Sequence, residues 1–410
     1  MNRLVIVGAG PIGLHAALQA FRNGLNVTVL DRGELGAAVR QWGHVKLFTP
    51  FSMNSTASGR AAAATSARLP EPDALLTGEA YVRQYLEPLA HSSSLAGHVQ
   101  THHELIAVSR QSYGKSDAIG KPERAASPFR LLVRRPDESE FVMECDMLFD
   151  CTGFATQHRF IGTGGIPCPG ERVCLTDADY KIATPQPLSD RSQHTVVVGS
   201  GYSAATSICF LQERSQHITW ITRGARTVPI LPVADDSLPA RRRLTDRANQ
   251  LAVDPASAVH WLPGALIESM DRDNTEYRLV LSFNDGGTKT LICNRIVANP
   301  GVRPNVRPFE ELQIHRCYAT EGPIKMAAHL LGETDGDCLT QTVPGVELLR
   351  NPEPGFYILG AASYGRDSRF LLKNGLQQIE QLFEMIECPM ETGRAFRVIY
   401  GEEDDLREFA

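Results

Sequence analysis

The chain has 410 residues, enough for two or three domains, and its 42% hydrophobic and 21% charged content are ordinary for a soluble globular protein. The formal net charge of −6 argues against general binding to nucleic acids or membrane surfaces. No apolar run reaches the ~18 residues that a membrane span needs, and no secretory signal precedes the first strand.

The nine cysteines are scattered along the chain, and no two of them form a C-x-x-C pair. A redox dithiol and a zinc ribbon are therefore not expected, and a reducing cytoplasm is the expected compartment. The histidines include no H-E-x-x-H motif, so we expect no metal site.

The first element is an apolar strand that runs into a turn containing Gly8, Gly10 and Gly13. Such a turn binds a dinucleotide because the first glycine allows a sharp bend, the second lets the backbone approach a pyrophosphate, and the third lets helix and strand pack closely. The next strand, Asn26–Leu30, ends at Asp31, about 20 residues after the last glycine, as the geometry requires. The Asp31 carboxylate can accept a hydrogen bond from a free ribose 2′-hydroxyl, as in FAD or NAD.

Between residues 33 and 78 the sequence is irregular, and we expect this insertion to contribute to a cofactor and substrate pocket. A helix is predicted at Glu79–Leu89, and we expect a disordered loop near residues 113–127. Alternating patterns predict strands at Glu104–Val108, Phe129–Val133 and Phe141–Glu144, and an apolar strand then ends in the turn Cys151–Gly153.

A second glycine-rich turn follows a Gly- and Pro-rich linker predicted at residues 161–193. Gly199 and Gly201 match the first two glycines, and Ala204 takes the place of the third, which is an allowed variant. The following strand ends at Arg223, which cannot accept a hydrogen bond from a ribose hydroxyl but can pair with a 2′-phosphate. Arg223 could instead be a solvated strand-end charge, and Arg226 could take over the phosphate.

The remaining chain contains a predicted helix at about 240–251, in which Arg241–Arg243 is expected to be a solvated basic face. The turn Asn299–Gly301 closes this region. A strand at Phe356–Gly360 and an amphipathic helix at Phe370–Ile386 follow, and the acidic tail is expected to be mobile.

These elements predict an α/β fold with two Rossmann-like dinucleotide-binding domains, the second inserted into the first. The predicted boundaries are 1–160 and 301–390 for the two parts of the first domain, 161–193 for the linker, 194–300 for the second domain and 391–410 for the tail.

Taken together, these features resemble the flavoprotein superfamily with two dinucleotide-binding domains, which includes flavin-containing monooxygenases and pyridine nucleotide-disulfide oxidoreductases. The resemblance covers nearly the whole chain and depends on the two glycine-rich turns, the turns Cys151–Gly153 and Asn299–Gly301, and the strand, glycine and helix at Gly360. It implies that FAD binds the discontinuous first domain and that NADPH binds the inserted second domain.

The resemblance also implies which residues contact each cofactor. For FAD these are Gly8, Gly10, Pro11, Ile12, Gly13, Asp31, Arg32, Gln41, Trp42, Gly153, Gly360, Ala361 and Phe370, and the helix near Phe370 would direct its positive end at the flavin. For NADPH these are Gly199, Ser200, Gly201, Tyr202, Ser203, Ala204, Arg223 and Arg226.

The chain departs from the superfamily pattern at two places. Relatives usually have an acidic residue after the C-terminal glycine, whereas two alanines and Ser363 follow here, so ribityl contacts would come from the backbone or from Ser363. The monooxygenase fingerprint F-x-G-x-x-x-H would start at Phe160, but Ile166 occupies its histidine position. The segments Trp42–Phe48 and Ser363–Arg366 are nevertheless similar to a bacterial branch of monooxygenase-like proteins.

Three functions therefore stay open, with a monooxygenase preferred. In it, NADPH would reduce the flavin, and a flavin C4a-hydroperoxide formed with O2 would oxygenate a small substrate in a pocket for which Trp42, Lys46, Tyr364 and Arg366 are candidates. The alternative is an NADPH-dependent reductase of a small disulfide, quinone or protein partner that works without a dithiol; an NADPH-sensing flavoprotein is a third. A homodimer is compatible with the sequence.

Overall fold

The computed structural model describes residues 3–153, 157–183, 193–214, 217–332 and 345–386. Its fifteen strands within these ranges are β1 Arg3–Val7, β2 Asn26–Leu30, β3 Val99–Gln100, β4 Glu104–Arg110, β5 Phe129–Arg134, β6 Glu140–Cys145, β7 Met147–Asp150, β8 His194–Val198, β9 His217–Thr222, β10 Val259–Pro263, β11 Ala265–Asp273, β12 Glu276–Phe283, β13 Thr288–Cys293, β14 Arg295–Ala298 and β15 Phe356–Ile358.

The α-helices of the same residues are α1 Pro11–Arg22, α2 Ala37–Arg40, α3 Ala57–Ala63, α4 Gly78–Tyr81, α5 Glu87–Ala90, α6 Pro122–Ala126, α7 Glu171–Cys174, α8 Tyr202–Leu211, α9 Pro239–Val253, α10 Ile324–Gly332, α11 Ala361–Tyr364 and α12 Leu372–Met385. A π-helical segment, Val82–Leu86, joins α4 to α5, so the helix predicted at Glu79–Leu89 is confirmed.

The first sheet is parallel, with strand order β15-β7-β1-β2-β3. Alternate side chains of β1 enter two different cores, because successive residues of a strand point to opposite faces. Leu4 and Ile6 pack with α1 and α12, whereas Val5 and Val7 pack against the antiparallel sheet β4-β5-β6. Burial on both faces explains why β1 is an almost unbroken apolar run.

The second sheet is also parallel, with strand order β10-β9-β8-β14. Val197 packs on α8 and α9, whereas Val196 and Val198 face the antiparallel sheet β11-β12-β13. Since β15 returns to the first sheet only after all strands of the second, the second unit is inserted into the first. The predicted fold class is confirmed.

The segment before the second sheet packs on that sheet rather than running freely between the two units. Ile161, Cys168 and Leu175 are buried in the same core as Val196 and Ile267. The buried Glu171 carboxylate organises the segment, because it accepts hydrogen bonds from the backbone amides of residues 161, 162 and 168 and from the Tyr180 hydroxyl.

The prediction of a disordered loop near residues 113–127 is wrong. The loop contains α6, and its Arg124 is buried against the carboxylate of Glu353, at 2.7 Å. Arg110 binds the other oxygen of the same carboxylate, also at 2.7 Å. Such a buried ion pair orders the loop because breaking it would leave a charge without compensation.

The prediction of a solvated basic face at Arg241–Arg243 is wrong for its first residue. The α9 helix is present, but Arg241 is buried and its guanidinium donates to both carboxylate oxygens of Asp236, at 2.7 and 2.8 Å. The helix predicted from Phe370 begins at Leu372. The acidic tail lies outside the described residues. No helix of the described part of the chain is long and apolar enough to cross a membrane.

Candidate functional site

The first glycine turn leaves an open face at its second glycine. Gly8 has φ +111°, and a Cβ placed there would lie 2.5 Å from the Cys151 carbonyl oxygen, where β7 ends beside the turn. A Cβ at Gly13 would overlap the Gly8 carbonyl oxygen, whereas a Cβ at Gly10 would meet no atom within 4 Å. The backbone therefore requires glycine at positions 8 and 13, and Gly10 borders the space where a pyrophosphate can approach.

The helices that follow the two turns begin in the same way. α1 begins after Gly10 and α8 after Gly201, and neither helix has a side chain that caps its first backbone amides. Amides of a first helical turn that lack a capping side chain, together with the helix dipole, form a binding site for an anion. Both turns thus fit a dinucleotide pyrophosphate.

Asp31 binds the first turn directly. Its carboxylate accepts hydrogen bonds from the backbone amides of Ala9, at 2.7 Å, and Gly33, at 2.9 Å. This places an acceptor between the turn and the end of β2, where the ribose of a bound adenosine would lie. A cavity of 380 Å³ begins at the loop that follows β2 and is lined by Glu34, Leu35, Arg40, Glu87, Ala90, His91, Leu95, Ala96, Gly97, Val99 and Thr101.

The C-terminal part of the chain closes over the first turn. Gly360, with φ +68°, lies against Ile12, since a Cβ there would come within 2.8 Å of the Ile12 side chain. The Gly360 amide donates to Gln378 Oε1 of α12 at 2.8 Å. Ser363 is fully buried; its hydroxyl donates to the Gly360 carbonyl and accepts from Gln378 Nε2. Because these bonds occupy the Ser363 hydroxyl, the backbone is the better source of ribityl contacts.

The second turn repeats the construction of the first. A Cβ at Gly199, with φ +135°, would overlap the Asn299 carbonyl oxygen, and a Cβ at Gly201 would meet no atom within 4 Å. The Gly199 carbonyl accepts a hydrogen bond from the indole of Trp220 at 2.8 Å. Ala204 is fully buried, so this turn accommodates the methyl group that the first turn would exclude.

The two cationic residues predicted for NADPH lie beyond the end of β9. Arg223 and Arg226 are both exposed, and Ser200 beside the turn is exposed as well. Among the described residues, neither arginine forms an ion pair. A 2′-phosphate at this strand end would therefore meet a guanidinium that has no protein anion as a competitor.

The insertion after the first turn connects the two units. The Phe48 ring contacts Tyr202, the first residue of α8, with ring centroids 5.5 Å apart. The His44 ring contacts Phe210 of the same helix at 4.7 Å. The sequence predicts that this insertion contributes to a cofactor and substrate pocket. In the structure it contacts the helix that follows the second glycine turn.

The four pocket candidates have separate surroundings. Trp42 is partly exposed beside Gly78, and Lys46 is exposed on a short bridge to Thr77. Tyr364 is 1% exposed; it accepts a hydrogen bond from Asn374 and packs on Phe370, so it is a core residue. Arg366 is held by Glu321, whose two oxygens accept from its guanidinium at 2.8 and 2.9 Å.

The other predicted FAD residues divide between surface and core. Arg32 and Gln41 are exposed, Gly153 has φ +64°, and Pro11 is buried at the start of α1. Sequence reasoning missed Asp150, which is buried at the end of β7 and accepts from the amide and hydroxyl of Thr152. Burial raises its pKa, and the only sequence signal was its place before Cys151–Gly153.

The described cysteines differ in their surroundings. Burial raises the pKa of Cys151 well above its ordinary value, which makes this thiol a poor nucleophile. Hydrogen bonds from the Thr320 backbone, the Thr320 hydroxyl and the Ala319 backbone lower the pKa of Cys317. Cys338 and Cys388 lie outside the described residues. The described residues contain no group of three or more His, Cys, Asp or Glu side chains that could hold a metal ion.

Comparison with known proteins agrees with this construction. The family model described as pyridine nucleotide-disulphide oxidoreductase matches residues 2–330. No curated protein sequence shows significant similarity to the chain.

Several solved structures share the fold over nearly the full length of both chains. A bacillithiol disulfide reductase from Bacillus cereus has a TM-score of 0.68 at 14% identity, over 93% of this chain and 98% of that one. An ornithine N-hydroxylase from Kutzneria sp. has a TM-score of 0.59 at 15% identity, over 93% and 97%. A thioredoxin reductase from Lactococcus lactis has a TM-score of 0.58 at 14% identity, over 94% and 97%. At these identities the likeness shows the fold alone.

Proposed function

The chain belongs to the pyridine nucleotide-disulphide oxidoreductase family, whose cofactors are FAD and NAD(P)H, and from this premise we propose that it is an NADPH-consuming monooxygenase of a small molecule. The observation that carries the proposal is the pair of glycine turns, each with an open second glycine and a helix start without a capping side chain. FAD would bind the first and NADPH the second, with Asp31 and Arg223 reading the two adenosine riboses.

The contacts between the units support electron transfer from one dinucleotide to the other. Phe48 reaches the first residue of the helix at the second turn, so the insertion that follows the first turn lies beside both proposed sites. When bound, FAD supplies the redox chemistry, accepting electrons from the nicotinamide and passing them on. The residues of this chain need only hold the two dinucleotides, orient them and keep water out.

The cysteines favour oxygenation over disulfide reduction. The sequence has no C-x-x-C pair, and Cys151, the cysteine beside the first turn, is buried with a raised pKa. A thiol kept protonated in this way is a poor partner for disulfide exchange.

One observation favours a reductase as the second candidate function. Cys317 is the described cysteine whose pKa is lowered, and it lies four residues before Glu321, which binds Arg366. Hydrogen bonds to its sulfur favour the thiolate, the form that attacks a disulfide. In this second candidate, Cys317 would act on a small disulfide or protein partner.

Rapid mixing of the NADPH-reduced holoenzyme with O2 and excess NADP⁺ tests the proposal. For a monooxygenase we expect O2 to be consumed before the absorbance of oxidised flavin returns, with a delay that NADP⁺ lengthens. Immediate return of the absorbance of oxidised flavin, with one hydrogen peroxide formed for each NADPH consumed, would contradict oxygenation.

A thiol variant tests the second candidate. Reduction of the disulfide probe 5,5′-dithiobis(2-nitrobenzoate) by NADPH is compared between the wild type and Cys317→Ser, with Cys209→Ser as the matched control. Loss of turnover in Cys317→Ser alone would support the reductase. Equal turnover in all three proteins would exclude Cys317 as the residue that attacks the disulfide.

A further inference from the structure

Four arginines surround one carboxylate at the junction of the two units. Glu321 forms ion pairs with Arg303 at 2.7 Å and with Arg366 at 2.8 Å. Its backbone carbonyl accepts from Arg316 at 3.4 Å, and it is also the carboxylate whose charge acts on Arg159. We name these four arginines and Glu321 the arginine cluster. The charge of the buried Asp150 carboxylate also acts on Arg316, so four guanidiniums face two carboxylates.

A short antiparallel ladder places Arg159 in this cluster. Arg159 donates its backbone amide to the Gly301 carbonyl at 2.9 Å, and Arg303 donates to the Gln157 carbonyl at 2.8 Å. Residues opposite each other, and those two apart along a strand, point to the same face of such a ladder. Arg159 and Arg303 therefore share one face.

Arg159 has no anion of its own among the described residues. Glu321 already binds Arg303 and Arg366, and no described carboxylate forms an ion pair with the Arg159 guanidinium. Partial burial lowers the pKa of Arg159, and the positive charges of Arg366 and then Arg223 lower it further. A partly buried guanidinium facing two like charges is unfavourable unless an anion joins it.

The same ladder puts Arg159 at the edge of the second sheet where its glycine turn lies. Gly301 follows the end of β14, which pairs with β8, and β8 pairs with β9. The carboxyl ends of these parallel strands meet at one edge, which carries Gly199 after β8 and Arg223 after β9. In sheets of this kind, ligands bind at the carboxyl edge.

We propose that Arg159 and Arg223 together bind the 2′-phosphate of NADPH, so that this site is shared between the second sheet and the segment joining it to the first unit. The inference rests on the proposed use of NADPH, and it adds Arg159, a phosphate-binding residue that no glycine-turn motif contains. A phosphate dianion would neutralise two guanidiniums that otherwise repel each other, and NADH, which lacks that group, would leave the repulsion in place.

Calorimetric titration of the purified holoenzyme with 2′,5′-ADP and with 5′-AMP tests the proposal, because the two probes differ only in the 2′-phosphate. Loss of one charge-assisted hydrogen-bonded contact costs about 1.5–3 kcal/mol, so Arg159→Gln should weaken binding of 2′,5′-ADP by about tenfold or more and binding of 5′-AMP by less than about twofold. Arg223→Gln should behave in the same way.

Two control variants distinguish the loss of a direct contact with the phosphate from the loss of one positive charge elsewhere on the protein. Arg303→Gln removes the same charge from a guanidinium already paired with Glu321, and Arg278→Gln removes it from an exposed side chain of β12; both should leave the preference for 2′,5′-ADP within about threefold of the wild type. Equal weakening by Arg159→Gln and Arg303→Gln would overturn the proposal, as would an unchanged affinity in Arg159→Gln.

The outcomes also separate this inference from the function on which it rests. If Arg223→Gln alone loses the preference for 2′,5′-ADP, Arg159 is not a ligand but NADPH remains the cofactor. If the wild type binds both probes equally, the choice of NADPH fails as well. The O2 experiment is independent of both results.

Discussion

The two glycine turns have the same backbone construction but differ in what lies at their open side. In each turn, the first glycine lies against the backbone carbonyl of the residue that follows a neighbouring strand. That residue is Cys151 after β7 in the first unit and Asn299 after β14 in the second. The differences come from side chains outside the turn: Asp31 is bound to its own turn, whereas Arg223 extends from a strand end without an ion-pair partner among the described residues. On the proposed function, the turn would provide the pyrophosphate site, and the residue at the strand end would select the nucleotide.

The third position of each turn gives the largest expected effect. Gly13→Ala would place a methyl group on the Gly8 carbonyl oxygen, so we expect a loss of about 3 kcal/mol or more in stability and little retained flavin. The reciprocal change, Ala204→Gly, removes one buried methyl group and should cost about 1 kcal/mol while leaving flavin content unchanged. Flavin absorbance per mole of protein and thermal unfolding measure both; comparable flavin loss in the two variants would show that the turns do not serve separate cofactors.

The second position should affect binding without affecting folding. Gly10 has φ −85° and Gly201 has φ −105°, values that alanine adopts readily, and both face open space. A methyl group there would meet the pyrophosphate. We expect Gly10→Ala to weaken FAD by about tenfold or more, and Gly201→Ala to weaken NADPH similarly with full flavin content.

Equilibrium titration of each cofactor, with the thermal stability of both apoproteins as the control, checks this pair. A Gly201→Ala variant that loses FAD but keeps its affinity for NADPH would reverse the assignment of the two turns.

The turns could be predicted from the sequence because their requirements are local. A strand, a glycine that must adopt positive φ and an uncapped helix lie within ten residues, and Asp31 follows at a fixed spacing. Long-range side-chain contacts have no such pattern. Arg124 looked like part of a disordered polar loop because its partner, Glu353, lies 229 residues away. No local sequence pattern marks Arg159 as a candidate site residue, because its position depends on a ladder to residues 301–303.

Acidification should distinguish the helices behind the two turns. Position five of α1 is His15, whose Nδ1 donates to the Pro11 carbonyl at 2.6 Å, and the matching residue of α8 is Thr206, whose hydroxyl donates to the Tyr202 carbonyl at 2.8 Å. Burial lowers the pKa of His15 and keeps its ring neutral, so with Nδ1 as the donor, Nε2 accepts from the Tyr85 hydroxyl at 2.8 Å. Only the α1 residue titrates.

Burial lowers the pKa of His15 from 6.5 to about 4. The unfolded chain therefore binds a proton more readily than the folded one between these values, and the stability present above pH 6.5 is lost as the pH falls. From pH 7 to pH 5 we expect the wild type to lose about 2 kcal/mol more than His15→Gln in urea unfolding. His91→Gln, at an exposed position, should keep the wild-type loss; equal losses in all three proteins would remove His15 as the cause.

The strand-end residues give the smallest expected effect and the clearest test of what distinguishes the two turns. Asp31 accepts from the backbone amides of Ala9 and Gly33, and it would also accept from the adenosine ribose. Asp31→Ala removes an ionised acceptor, so we expect about tenfold weaker FAD binding with an unchanged ratio of NADPH to NADH affinity. Arg223→Ala should do the reverse, lowering that ratio while FAD affinity stays at the wild-type value. If either variant changes both quantities, the strand ends are coupled across the junction and do not select their nucleotides independently.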